Sequence, residues 1–243
     1  MRQLEAETDE QMLALCESLL RAQTALRCRR AFMHDIRNPA QSIQSGLELL
    51  ERVLTAKTTK VSAEQCITLI RQSLANLQRM VEKTLDSLAP CAASPTAFGA
   101  RALLEEFTLL LINDAAARSV NFRIDVDPSL MIRATLPRVR QVLLSLLLDS
   151  LDVADASGTI TVTASAAGDV CVLQIIDARD SIESRAPSAT PGITPEPLLN
   201  VEQWWQALIT LAHAENGVLE REHDGQRYVV RLRLPSGGTA TPS

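Results

Sequence analysis

The chain has 243 residues, 46% of them apolar and 22% charged, a balance that excludes wholesale disorder and fits one large or two modest globular domains. A formal charge of −5 and a pI near 5.3 offer no broad cationic surface to a nucleic-acid backbone. The N-terminus is charged from Arg2 onward, and the densest apolar stretch, Leu143 to Leu148, is broken by Ser145 and ended by Asp149, well short of the roughly 20 residues a bilayer span needs. The composition therefore predicts a cytoplasmic chain without nucleic-acid binding or membrane insertion.

From Leu4 to about Leu54 the only proline is Pro39, and apolar residues recur at spacings of three and four: Met12, Leu15, Leu19, Ala22, Leu26, then Ile36, Ile43, Leu47 and Leu50. This is a long amphipathic helix, with a bend expected at Pro39, which lacks an N–H and crowds the preceding turn. Residues 1–30 form an N-terminal extension of it, with three roles open: a sensor, a dimer extension or a docking helix. Ser62 with Gln65 three residues later has capping-box spacing and opens a second helix, carrying Ile67, Ile70, Leu74, Leu77, Met80, Val81 and Leu85 and stopping near Pro90. Residues 31–90 thus form an antiparallel helical hairpin whose continuous apolar stripe predicts a homodimer, paired as a four-helix bundle.

Cys91 to Gly99 has loop composition and marks the linker. Beyond it, in 100–235, the pattern turns to mixed helix and strand. Helices are expected over Ala100 to Ala117, Pro137 to Val153 and Val201 to Glu215, the last ended by Asn216-Gly217. Strands are expected over Val120 to Val126, Thr159 to Thr163, Val170 to Ile176, Val218 to Glu222 and Arg227 to Leu234, with Gly168-Asp169 as a hairpin turn. Ser181 to Pro197 holds four prolines and reads as irregular, and 236–243 as a frayed tail. The fold class is α+β, a helical hairpin followed by an α/β sandwich. Five cysteines without C-x-x-C spacing suggest reduced thiols rather than a disulfide framework or a metal site. His213 and His223 lack ligand or triad spacing.

The chemistry concentrates at Phe32-Met33-His34-Asp35-Ile36-Arg37-Asn38-Pro39. On a helix Asn38 lies one turn beyond His34 on nearly the same face, while Asp35 is about 100° around and Ile36 about 200°, so an inward Ile36 turns His34 to solvent. A neutral imidazole nitrogen is a good nucleophile, and a neighbouring carboxylate fixes its tautomer and takes its proton.

His-Asp-Ile-Arg-Asn-Pro resembles the phospho-acceptor box of two-component sensor histidine kinases, borne on the first helix of a dimerising hairpin. The resemblance implies that His34 accepts the phosphoryl group, Asp35 assists proton removal and Asn38 positions water for dephosphorylation of a response regulator. Arg138 to Asp152 is similar to that family's asparagine-box helix, with Asp149 where the family has its magnesium-binding asparagine. Ile175 to Ser181 takes the place of the D-x-G-x-G box. There Asp177 stands as the counterpart of the adenine-contacting aspartate, and Arg179 and Ser181 replace both glycines. Counting back from Asn216-Gly217, Glu202-Gln203-Trp204-Trp205 stands where the family has the glycine-rich start of its final helix, whose backbone N–H groups cradle phosphate. Trp204 and Trp205 are read as filling a redundant cavity, the alternative being stacking on a base with Arg179 on phosphates.

The resemblance implies a degenerate GHKL/Bergerat-like sandwich, with Asp149 and Asp177 as a vestigial nucleotide site. The expected function is a phosphorelay histidine phosphotransferase: no metal or other cofactor of its own, no ATP, and Mg2+ supplied by a receiver partner. Response-regulator receiver domains are the expected partners, together with a second copy of the chain and a hybrid sensor kinase. Three alternatives stand beside it: an active kinase phosphorylating His34 from ATP, a non-catalytic pseudokinase that binds regulators, and a phosphatase acting through Asn38.

Overall fold

The computed structural model describes residues 2–55, 61–88, 94–154, 157–178, 198–223 and 227–239, with the side chains of 2–8, 28–35, 80, 82–88 and 113 set aside. Along the chain run α1 (Arg2–Thr55), α2 (Ala63–Leu88), β1 (Thr96–Gly99), α3 (Ala100–Ala117), β2 (Asn121–Val126), β3 (Leu130–Ala134), α4 (Leu136–Val153), β4 (Thr159–Ala167), β5 (Val170–Asp177), α5 (Val201–Ala214), β6 (Val218–His223) and β7 (Tyr228–Thr239). Two units result: Cys28–Pro90, and Met1–Arg27 together with Cys91–Ser243. The first 27 residues thus belong with the C-terminal sandwich. Among the described residues no helix is long and apolar enough to cross a membrane.

The helical unit consists of α1 from Cys28 onward and α2. Pro39 sits inside α1, which continues through it to Thr55. The expected capping box opens α2: Gln65 N–H donates to Ser62 Oγ at 3.2 Å and Ser62 N–H donates to Gln65 Oε1 at 2.9 Å, satisfying two donors that a helix start leaves orphaned. Small residues let the helices approach closely. Gly46 of α1 is buried, as are Cys66 and Ser73 of α2, and a Cβ on Gly46 would stand 2.7 Å from Ile70 Cγ1. Leu47 and Leu54 of α1 and Ile67, Leu74 and Val81 of α2 remain exposed. A four-helix bundle would need two helices besides α1 and α2.

In the sandwich unit seven strands form one sheet among the described residues, in the order β1-β3-β7-β5-β4-β2, with β6 pairing β7. Only β2 and β4 run parallel; the other pairs are antiparallel. Period-two alternation buries one face: Ile160, Val162 and Ala164 on β4, Cys171, Leu173 and Ile175 on β5, and Tyr228, Val230, Leu232 and Leu234 on β7. Helices α3, α4 and α5 supply Leu104, Leu111, Leu143, Leu151, Leu208 and Leu211 to the same core. Burial pushes the Cys171 thiol up to about 11, so it is an inert core residue.

Two strands escape the sequence pattern. Thr96–Gly99, expected within the linker, is β1 and pairs with β3, itself not anticipated over Leu130–Ala134. β7 runs past Leu234 into the expected tail, because Ser236 to Thr239 pair with β3. Loop-like composition there is overridden by the backbone partners that β3 offers. The Gly168-Asp169 turn is observed, with Gly168 at φ 63°, as is the α5 C-terminus, where Asn216 takes φ 54° and Gly217 N–H donates to Ala212 O at 2.9 Å.

Gly46→Leu should destabilise the helical unit. The propensity gain of leucine in a helix is about 0.8 kcal/mol, whereas overpacking against Ile70 costs about 1–3 kcal/mol, so a net loss of up to about 2 kcal/mol is expected on thermal unfolding. A raised Tm would refute the close approach of the two helices.

Candidate functional site

His34 and Asp35 lie within the helical run of α1, and their side chains fall outside the described ones. Asn38 follows one turn later and is exposed, its carbonyl accepting Ser42 Oγ at 3.1 Å, while Ile36 is half-buried. Helical backbone across the whole box is the condition for His34 and Asn38 to share a face. Proline at 39 has no N–H to give the carbonyl of Asp35.

The two other predicted aspartates sit in the sandwich. Asp149, on α4, and Asp177, the last residue of β5, are 3% and 2% exposed. Helix α4 packs against β5, and Asp177 stands opposite Tyr228 in the sheet. Arg179 and Ser181 lie outside the described residues, as does the proline-rich segment up to Pro197. Among the described residues no group of three potential ligands gathers for a metal ion.

The start of α5 explains what stands in place of a glycine-rich turn. Asn200 caps the helix: its side chain accepts Gln203 N–H at 2.9 Å, and Gln203 Oε1 accepts Asn200 N–H at 3.1 Å. Two of the amides such a helix start could turn toward an anion are thereby engaged within the chain. Trp204 and Trp205 are both buried, with ring centroids 6.1 Å apart, and the Arg221 guanidinium lies 4.7 Å above the Trp205 ring. The cavity-filling reading of the indoles agrees with this burial.

A polar seam that no motif announced joins the N-terminal part of α1 to α4. Glu17 accepts from Arg138 Nε at 2.5 Å and from Arg21 Nη2 at 2.9 Å. Arg138 Nη1 also donates to Glu215 Oε1 at 2.9 Å, and Glu215 Oε2 accepts Thr135 N–H, at the start of α4, at 2.6 Å. Thr24 Oγ1 accepts Gln141 Nε2 at 2.7 Å and lies 3.1 Å from Ser145 Oγ. Arg27 pairs with Asp152, whose other oxygen binds Arg118 at 2.9 Å. Gln23 Oε1 accepts Leu199 N–H at 3.2 Å. Burial works to lower the Arg138 pKa, but its hydrogen bonds to Glu17 and Glu215 and their negative charge outweigh it and hold the guanidinium's pKa above its ordinary value.

The seam reverses the expected orientation of α1. Glu17, Leu20, Gln23 and Thr24 are buried, whereas Met12 and Leu15 of the apolar stripe are each 53% exposed. The reason is the partner: α4 turns a polar stripe toward α1, and only a polar face satisfies it.

A helical unit bearing a His-Asp-x-Arg-Asn-Pro box, followed by an α/β sandwich with an asparagine-box-like helix, resembles the arrangement of two-component sensor histidine kinases, and the comparisons with known proteins bear on this. No family model matches the sequence. Over 150 residues the chain is 27% identical to the sensor histidine kinase ZraS of Escherichia coli K12, covering 61% of this chain and 32% of that protein. With ZraS of Salmonella typhi it shares 28% identity over 163 residues, 66% of this chain and 34% of the relative. The chain is thus a relative of the two-component sensor histidine kinases, and it spans about a third of the length of the curated relatives it matches. Among solved structures, Acinetobacter baumannii histidine kinase AdeS aligns at TM-score 0.49 and 13% identity, covering 84% of this chain and 98% of that one. Histidine kinase ThkA in complex with response regulator protein TrrA aligns at TM-score 0.49 and 18% identity, over 84% of this chain and 59% of that one.

Asn200→Ala should cost about 1 kcal/mol, the usual value of a lost N-cap, read as a lower urea midpoint with unchanged slope. An unchanged midpoint would mean that the capping box contributes nothing to α5.

Proposed function

We propose that the chain is a cytoplasmic histidine phosphotransferase of a two-component phosphorelay, acting as a homodimer with response-regulator receiver domains. The observation that carries this is the unbroken helix through His34, with exposed Asn38 one turn beyond it. In the step proposed, an imidazole nitrogen of His34 attacks the phosphorus of a receiver aspartyl phosphate. The N–P bond forms as the bond from phosphorus to the carboxylate oxygen breaks, and the imidazole proton passes to Asp35. Magnesium on the receiver neutralises the charge of the transferring group. Asn38 orients water when phosphate is drained instead. The exposed apolar row on the hairpin, Ile67, Leu74 and Val81 at heptad spacing, supports pairing with a second copy.

That the chain works without its own ATP is supported by the capped start of α5 and by the seam along α4. A second reading, an autokinase that phosphorylates His34 from ATP, is favoured by Asp177 standing as the counterpart of the adenine-contacting aspartate and by Asp149, whose carboxylate is a competent oxygen ligand for magnesium, standing where the family has its asparagine.

The discriminating experiment offers purified protein either a 32P-labelled phospho-receiver or labelled Mg–ATP, with His34→Ala as control. Label from the receiver alone, lost in H34A, is expected; label from ATP alone establishes the autokinase, and label from neither overturns both. Asn38→Ala should slow loss of receiver phosphate at least about tenfold while leaving transfer to His34 in place, since water is then no longer held for attack.

A further inference from the structure

The part of α1 that belongs with the sandwich unit has two faces. One is the seam, with Cys16 on Thr210, Glu17 on Arg138, Gln23 on Leu199, Thr24 on Gln141 and Arg27 on Asp152. Together with buried Leu20, these residues occupy about 120° of the helix circumference. The other face is apolar. Met12, Leu15, Leu19, Ala22 and Leu26 follow one another by three and four, the a and d positions of a heptad repeat, and their centre lies about 120° around from that of the seam. Met12, Leu15 and Ala22 are exposed and Leu19 and Leu26 half-buried, so among the described residues nothing fully covers the row. The hairpin uses a different stretch of α1. Helix α2 has 26 residues, enough to run beside α1 from Thr55 back to about residue 30 and no further.

We propose that this row is the sandwich unit's own interface with a second copy of the chain, the two α1 segments pairing as a parallel, in-register coiled coil. The proposal deepens the homodimer reading and rests on it. The heptad register favours a second copy, because it continues without a skip from Met33 to Leu54 in the hairpin. A two-fold through paired hairpins sets the two α1 helices side by side in the same direction, so the same patch meets itself. Arg29 is the one charged residue at an a or d position from 12 to 54 and separates the N-terminal row from that of the hairpin. The positions flanking the row, Gln11, Cys16, Ser18, Gln23 and Ala25, are uncharged. Charges there select a foreign helix or set like copies against each other, and neither effect acts here. Two heptads are too short to hold an isolated pair of helices. The seam already holds 17–27 in place, so the row adds to a dimer rather than founding one, and it takes Met12 and Leu15 out of water.

The test is disulfide cross-linking of the full chain carrying Leu15→Cys, with Ala14→Cys, exposed but off the row, as control. In a parallel in-register pair the two introduced thiols face each other with Cα atoms in disulfide range, about 4.4–6.8 Å. An antiparallel pair centred on Leu19 sets them about 12 Å apart along the axis. L15C should form a disulfide between the two copies at position 15, located by peptide mass mapping, and A14C should form none at position 14. Leu15→Glu should raise the dimer dissociation constant in sedimentation equilibrium at least about tenfold, the share of one well-placed interface residue, with hydrogen exchange in β4, β5 and β7 unchanged. A dimer in which L15C gives no such disulfide, or in which A14C gives one as readily, overturns the coiled coil and leaves the homodimer reading standing. A dissociation constant that L15E leaves unchanged does the same. A chain that sediments as a monomer overturns both. Should L15E alter exchange in the sheet, the cross-link alone decides.

Discussion

Arg138 is the joint on which the sandwich unit turns. It holds Glu17 of α1 with Nε and Glu215, just past α5, with Nη1, while the second Glu215 oxygen takes the first free amide of α4 at Thr135. With Arg21 on the far oxygen of Glu17, the chain of groups is charge-balanced, two cations against two carboxylates. Such arrays are poor sources of net stability, because desolvating each ion costs several kcal/mol and the pairing roughly repays it. Their effect is on what happens when one member is missing: an uncompensated buried charge destabilises by about 3–5 kcal/mol. The network therefore fixes the start of α4, the end of α5 and the turn of α1 around Glu17 relative to one another more than it deepens the folded state.

This division of labour separates what could be read from the residues from what could not. The helices over Ala100–Ala117, Leu136–Val153 and Val201–Ala214, the β4–β5 hairpin and the Ser62-Gln65 cap follow local rules, periodicity and turn chemistry, and the chain obeys them. β1, β3 and the end of β7 depend on partners distant in sequence: Thr96–Gly99 is a strand because β3 lies beside it, and Ser236 to Thr239 are held by β3 despite two glycines. No local window contains that information. At the site, His34, Asn38, Asp149 and Asp177 were legible as types at fixed spacings, and the capping of α5 was implicit in Asn200 and Gln203. The seam was not, because Glu17, Gln23 and Thr24 look like solvent-facing residues until α4 is placed against them. A stripe of Arg, Gln, Ser and Asp on an otherwise apolar helix was the one available signal that α4 required a polar partner.

The choice of face on α1 can be argued from magnitudes. Rotating the helix about half a turn would bury Met12 and Leu15, now about half exposed, and recover about 0.8–1.6 kcal/mol each, since complete burial of such side chains contributes roughly 1.5–3 kcal/mol. The same rotation would bring apolar groups onto Arg138, Gln141, Ser145 and Asp152 and strip them of their partners. Each unsatisfied polar group costs about 1–3 kcal/mol, and an orphaned charge more. The polar orientation wins by the larger sum. Because that advantage comes from avoiding unpaired groups rather than from burying apolar area, it disappears as soon as water or another polar ligand can reach the stripe. Such a contact selects one geometry sharply, because a shifted α1 leaves charged groups of the stripe without their partners.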